Sequence, residues 1–304
     1  MKKVLVLYYS QSGQMRDVIN NFIAPLQEDE SILVDYKKIS PVEKYPYPWP
    51  FYPFFDAFPE SIFLNGCEVK PLEDVDKEYD LIILGYTIWF LAPAIPITGF
   101  LKSDQAKKLF KDRPVVTVIA CRDMWVMAQE KMKQLLLDLD AHLVDNVALT
   151  DQGGPIKAFL TTPRWLLTGK KDPVFGLPAA GVAPEEIKAS DRFGKRLVTA
   201  LTRDEEKTKE PMLKGLGAVK VNGKLVATEK IATRSFMIWG RLIQKGGKPG
   251  ATSRKLIITI YAIFLVLMVL TIVPLNITIR KLLSPFLKAS IKKSEAYYEK
   301  PSGR

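Results

Sequence analysis

The apolar positions of this chain fall into short unbroken runs separated by stretches of helical spacing. Lys3–Tyr9 is a continuous apolar run, the pattern of a strand buried on both faces of a parallel sheet. Asp17–Leu26 then sets Val18, Phe22, Ile23 and Leu26 on one helical face. Ser31–Ile39 reads as a second strand, Asp80–Gly85 as a third, Pro114–Ala120 as a fourth and Leu143–Leu149 as a fifth. Helical patterns occupy Pro93–Phe110 after its first turn, Trp125–Leu139, and a closing segment at Glu185–Leu201. This alternation predicts an α/β fold built on a doubly wound five-stranded parallel sheet over residues 1–210. In such sheets ligands bind at the carboxyl ends of the strands.

Two stretches break the alternation, at 40–79 and 151–183. The first contains the proline- and aromatic-dense run YPYPWPFYPFF at 45–55, and the second is rich in Gly and Pro. Each reads as a lid near the strand-end edge or as a stiff connection packed on the core. Beyond residue 210 the pattern changes: 211–255 reads as a basic linker, and 256–279 is 24 residues without a charge. A hydrocarbon core needs about 20 helical residues, so 256–279 is expected to be a transmembrane or membrane-embedded helix, followed by a basic tail at 280–304.

Charge reinforces that division. The net +11 is uneven: residues 211–304 hold 17 basic and 3 acidic side chains, leaving 27 and 30 for residues 1–210. Positive charge flanking an apolar segment points to an anionic membrane surface rather than to nucleic acid. Bases lie on both sides of the segment, so they do not choose its orientation. No secretory-signal pattern opens the sequence, and Cys67 and Cys121 lack disulfide or metal-like spacing, as expected of reduced cytoplasmic thiols. No metal-ligand constellation is present in the sequence.

The candidate chemistry lies in three loops that this topology would place on one edge. Ser10-Gln11-Ser12-Gly13-Gln14-Met15 joins the first strand to the first helix. A helix N-terminus favours a phosphate, the serines add hydroxyl donors, and Gly13 permits close backbone approach. The loop lacks the three spaced glycines of a dinucleotide fingerprint and the Gly-Lys-Ser/Thr ending of a triphosphate loop. It therefore suits one terminal phosphate, although small hydroxyl residues also cap helices with no ligand. Tyr86-Thr87-Ile88-Trp89-Phe90 follows the third strand and Cys121-Arg122-Asp123-Met124-Trp125 the fourth. A phosphate at one strand end and aromatic loops at the next two form the layout expected of bound FMN.

These residues resemble the flavodoxin-like family of FMN-dependent oxidoreductases. Ser10-x-Ser12-Gly13 matches that family's phosphate loop, and residues 80–101 are similar to its third-strand, flavin-loop and helix segment in the quinone reductases. The family often has a hydroxyl residue where this chain has Met15. More narrowly, MKKVLVLYYSQSGQ, ACRDMWVMAQEKM and the hydrophobic tail resemble bacterial dialkylresorcinol-forming proteins, which are described as condensing enzymes and proposed to act as aromatases. The resemblance implies oxidation of a 2,5-dialkylcyclohexane-1,3-dione to a 2,5-dialkylresorcinol, on the cytoplasmic side of the bacterial inner membrane, with a lipophilic substrate and membrane lipid as partners. A homodimer is a further expectation from the family.

In that chemistry Arg122 would stabilise enolate charge and Asp123 would take a proton; the alternative is a loop ion pair or helix cap. Tyr86 and Trp89 would pack on the flavin, with core packing as their alternative. Two other functions fit the same residues: a membrane-attached quinone reductase using NAD(P)H, and a flavin-binding electron carrier.

Overall fold

The computed structural model describes residues 1–75 and 78–301, and the side chains of 155–156 and 272–287 also lie outside the described set. Part of the anchor expected at 256–279 and part of the tail expected at 280–304 therefore lie outside the described residues.

Five strands form one parallel sheet: β1 (Lys2–Tyr8), β2 (Ile32–Lys38), β3 (Leu81–Trp89), β5 (Pro114–Cys121) and β6 (His142–Thr150). Their spatial order is β2-β1-β3-β5-β6, and β4 (Ala92–Pro93) adds a short antiparallel pair at the end of β3. With β4 set aside this is the 2-1-3-4-5 order of the flavodoxin-like doubly wound fold, whose direction of winding reverses between the first and third strands.

Strand periodicity distributes the core between two faces. Val4, Val6 and Tyr8 join a cluster with α1 (Gln14–Gln27) and α9 (Asp191–Thr202). Leu5, Leu7 and Tyr9 join the opposite cluster with α4 (Ile95–Leu101), α5 (Asp104–Phe110) and α6 (Val126–Leu137). The helix expected over Pro93–Phe110 is two helices, because Ser103 caps α5 by accepting the Ala106 amide at 3.2 Å. The closing helix expected at Glu185–Leu201 likewise divides, into α8 (Pro184–Lys188) and α9, with Ser190 between them.

The interruptions contain structure of their own. Residues 40–79 hold α2 (Phe51–Asp56) and α3 (Phe58–Ile62), and 151–183 hold α7 (Gly154–Thr168). Residues 211–255, expected as a linker, are docked on the domain. Asp145 of β6 accepts the Met212 amide at 2.6 Å and the Leu213 amide at 3.2 Å. Beyond them α10 (Gly223–Lys245) packs on α3, α6 and α11 (Thr252–Tyr298). Among the described residues one window, Thr252–Thr271, is long and apolar enough to cross a membrane, with mean hydropathy 2.1 and 22% of it buried. Its inner side packs Ile258 and Tyr261 against Phe55 and Phe58.

Candidate functional site

The carboxyl ends of β1, β3 and β5 meet at the winding reversal, and three buried polar atoms there have no hydrogen-bond partner: Ser10 Oγ, Thr87 Oγ1 and Asp123 Oδ2. Buried polar groups are ordinarily satisfied, so three orphans at adjacent strand ends mark a place where a ligand's polar groups belong. Gly13 caps α1 with φ +95°, a backbone conformation unfavourable for a side chain, and no side chain caps that helix. The positive end of α1 therefore faces the same edge as Ser10.

The remaining loop residues are engaged by the two insertions. Gln11 Nε2 donates to the Pro46 carbonyl at 2.7 Å, and its Oε1 accepts Trp49 Nε1 at 3.1 Å. Gln14 Oε1 accepts the Val182 amide at 2.9 Å. Asp151, at the end of β6, accepts the amides of Gly153 and Gly181. The aromatic run and segment 151–183 thus each bond the phosphate-type loop, and they meet each other where the Trp49 amide donates to the Leu166 carbonyl at 2.8 Å. Ser12 is partly buried.

Several candidate residues point elsewhere. Met15 is fully buried in the α1–α9 cluster, against Gly85, where a Cβ would come within 3.0 Å of its sulfur. Its side chain is core, so only its backbone amide faces the edge. The third strand does not end at Gly85: it runs to Trp89 and pairs with β5 as far as Thr87↔Ala120. Strand parity then puts Tyr86 with Ile82 and Leu84 in the core, its hydroxyl donating to Gln129 Oε1. Tyr86 is therefore not a surface for stacking a flat ring. Trp125 is 2% exposed in the same cluster, and Ile88 packs against it. Phe90 and Leu91 form the two-residue turn between β3 and β4, both at positive φ. That turn directs Phe90 toward Phe54 and Phe58, away from the strand ends.

Trp89 remains at the edge, with its ring 5.9 Å from Tyr9, 5.0 Å from Tyr45 and 5.3 Å from Trp49. Arg122 makes no ion pair among the described residues; its guanidinium lies 4.3 Å over the Phe159 ring of α7. Burial lowers the Arg122 pKa, while Asp151 and Asp123 act in the opposite direction. Burial raises the Asp123 carboxyl and, more strongly, the Cys121 thiol. Met124 is partly buried in the same loop. Of the two alternatives for this pair, the loop ion pair is absent among the described residues, and Asp123 Oδ2 is buried with no hydrogen-bond partner.

One residue at this edge had no local signal in the sequence. Glu229 of α10 is fully buried, and its Oε2 accepts the Met127 amide at 2.9 Å in the first turn of α6. Its other oxygen has no partner, and burial pushes its pKa up to about 8. The backbone amides of Met127 and Val126 oppose that shift, and Asp123 adds to it.

The residues present fit FMN. Ser10 Oγ and the free amides at the start of α1 suit a terminal phosphate, and Thr87 Oγ1 with the 121–125 loop suits the polar rim of a flat ring. Among the described residues there is no group of acidic, histidine and cysteine side chains that could hold a metal ion.

No family model matches the chain, and no curated protein matches it. Solved structures do. A flavoprotein in complex with FMN from Lactobacillus acidophilus is 22% identical, covering 49% of this chain and 93% of its own, with a TM-score of 0.37. A flavodoxin from the domain Archaea is 9% identical over 66% of this chain and 99% of its own, with a TM-score of 0.39. The azoreductase AzrA is 13% identical over 63% of this chain and 100% of its own, with a TM-score of 0.32. Independently of these likenesses, the strand order β2-β1-β3-β5-β6 makes the fold of this chain flavodoxin-like.

Proposed function

We propose that this chain is an FMN-dependent oxidoreductase, attached to the cytoplasmic face of a bacterial inner membrane, that aromatises a 2,5-dialkylcyclohexane-1,3-dione to a 2,5-dialkylresorcinol. The observation that carries the flavin reading is the set of orphaned atoms Ser10 Oγ, Thr87 Oγ1 and Asp123 Oδ2 around an uncapped helix N-terminus. The choice of substrate rests on the sequence resemblance.

FMN, when bound, supplies the acceptor for the hydride that the ring loses. The chain's own residues do the rest. Ser10 and the α1 amides hold the phosphate end, and Gln11 and Gln14 fix the loop between the two insertions. Arg122, stacked on Phe159, would stabilise the developing enolate charge. Asp123, with its orphaned oxygen, takes the proton lost alongside the hydride. Burial raises its pKa, which makes it a better base than an exposed carboxylate. Leu256, Ile260, Ile263, Val266, Leu267 and Leu270 of α11 expose apolar side chains, which supports the attachment to a bilayer.

The visible spectrum of detergent-purified protein tests the cofactor. A flavin spectrum with FMN released on denaturation is expected; a colourless protein that cannot be reconstituted overturns the reading. For the reaction, single-turnover mixing with a dialkylcyclohexanedione should bleach the flavin and yield the resorcinol. Bleaching by NAD(P)H with turnover of a quinone, and none by the dione, would make the chain a quinone reductase instead.

A further inference from the structure

Both ends of α11 are fastened to the domain and to its helix α10. At the start Arg254, 2% exposed, bonds Asp56 at 3.0 Å and Glu60 at 2.9 Å, tying α11 to α2 and α3. Ile258 and Tyr261 extend that contact, and Trp239 of α10 meets the rings of Tyr261 at 5.3 Å and Phe264 at 4.9 Å. At the far end Glu295 accepts the Gly223 amide of α10 at 3.1 Å. The Tyr297 ring lies 5.9 Å from Lys133 Nζ of α6, and the Tyr298 ring 5.5 Å from Lys230 Nζ of α10. Tyr298 also packs against the core cluster of α4, α5 and α6. The uncharged run 256–279 lies between these two attachments.

One passage through a bilayer does not fit this arrangement. A helix that crosses about 30 Å of hydrocarbon leaves its two flanks on opposite sides, and here both flanks hold one domain. Length agrees. Packing on protein continues through Leu265, so 14 residues of the uncharged run, 266–279, remain beyond it. At about 1.5 Å each they reach about 21 Å, short of a full crossing. The helix also turns back. A Cβ on Gly246 would lie 3.3 Å from the Arg254 Cα, and one on Gly223 would lie 2.7 Å from the Glu295 Cγ. Gly223 to Gly246 is about 35 Å of helix, whereas Arg254 to Glu295 would be about 60 Å of straight helix. Between its two attachments α11 is therefore bent.

We infer that α11 is a one-sided, re-entrant anchor: its apolar face enters the leaflet beside the domain, and the chain returns to the same side. Residues 288–301 are then cytoplasmic, as the domain is. The inference rests on the reading above that the chain is attached to the cytoplasmic face of a membrane. Leu256, Ile260, Ile263 and Leu267 supply the lipid-facing surface, on the side of the helix turned away from Ile258 and Tyr261. Exposed Lys245, Lys248 and Lys255 border one end of the run, and exposed Lys288, Lys292 and Lys293 border the other. A single crossing would carry one of these groups to the side that disfavours bases. In the re-entrant arrangement both meet the anionic headgroups of one leaflet.

The test uses salt-washed membranes of a bacterial host expressing the full-length chain, where the protein should be found until detergent releases it. Fusions after Arg304 report the side of the carboxyl end. A green fluorescent protein there should fluoresce, and alkaline phosphatase, which needs an oxidising compartment for its disulfides, should stay inactive. Gly223→Cys with Glu295→Cys reports the contact itself in the unfused chain. After oxidation of the membranes the new pair should form a disulfide, so that a polyethylene-glycol maleimide labels Cys67 and Cys121 alone in the denatured protein. Each single variant should keep its added thiol free. If the double variant does not fold, the fusions decide. Phosphatase activity, or labelling of all the thiols of a membrane-bound double variant, overturns the inference and leaves the attachment standing. Protein in the soluble fraction overturns the attachment, and the anchor with it, even where the disulfide forms.

Discussion

The carboxyl of Glu229 on α10 accepts the backbone amide of Met127 at 2.9 Å, joining the helix that precedes α11 to the first turn of α6. The contact satisfies a helix N-terminal amide from a residue 102 positions away in sequence. It also buries a carboxyl whose pKa rises to about 8. A proton held by the folded state and released by the unfolded chain makes stability fall as pH rises between the two pKa values, by up to about 1.4 kcal/mol per pH unit. Asp145, raised to about 6, contributes only below that pH. Urea unfolding of the wild type should therefore show lower midpoints at pH 8 than at pH 6, and Glu229→Gln should remove most of the difference. Parallel profiles for the two proteins would contradict the assignment.

Ser10 and Thr87 make a different prediction, because each hydroxyl is buried with nothing to bond in the protein itself. Ser10→Ala and Thr87→Val remove an unsatisfied group, so stability without ligand should hold or rise. Each should nevertheless weaken FMN by about tenfold, the loss of one hydrogen bond to a polar or charged group, about 1.5 kcal/mol. Fluorescence titration of the apoprotein measures both variants. Wild-type affinity in both would mean that these atoms do not meet the cofactor.

These orphaned atoms show where the sequence was readable. The strands were legible because their residues are buried on both faces, which leaves unbroken apolar runs such as Val4–Leu7. The Ser10–Gly13 turn was legible because local chemistry shapes it. Tyr86 was not. Gly85 and Thr87 look like loop residues, and only pairing with β5 carries the strand through them, reversing which neighbours face the core. Glu229 had no signal, since a lone carboxylate in a basic helix reads as surface until α6 packs over it. The same applies to α10: its buried positions Val226, Gly240 and Ile243 are sparse among charged neighbours.

Tyr86 offers a direct test of that reversal. Its hydroxyl donates to Gln129, whose Nε2 donates to Thr117 at 3.1 Å, and Thr117 donates to Asn146 at 2.9 Å. Tyr86→Phe strands the Gln129 oxygen in the core, which should cost about 1–3 kcal/mol of stability. FMN affinity should stay within twofold of wild type. A large loss of flavin affinity with unchanged stability would return Tyr86 to the site.

Arg254 carries the last prediction, on how the apolar helix is held. Its guanidinium bonds Asp56 and Glu60, its Nε donates to the Gly247 carbonyl at 2.8 Å, and Asp56 also accepts the Gly250 amide at 2.6 Å. Buried pairs add little net stability over apolar residues of the same shape, but removing one partner leaves the others charged and unpaired. Arg254→Ala should lower stability by about 3 kcal/mol and expose 246–251 to proteolysis in detergent. The triple variant Arg254→Met, Asp56→Asn, Glu60→Gln should recover most of that loss, because no stranded charge remains. Melting temperature and limited proteolysis distinguish the cases. If the single and triple variants were equally destabilised, the clamp would act by shape rather than by charge. If neither lost stability, α11 would be held by its apolar contacts, such as those of Tyr261 with Phe58 and Trp239.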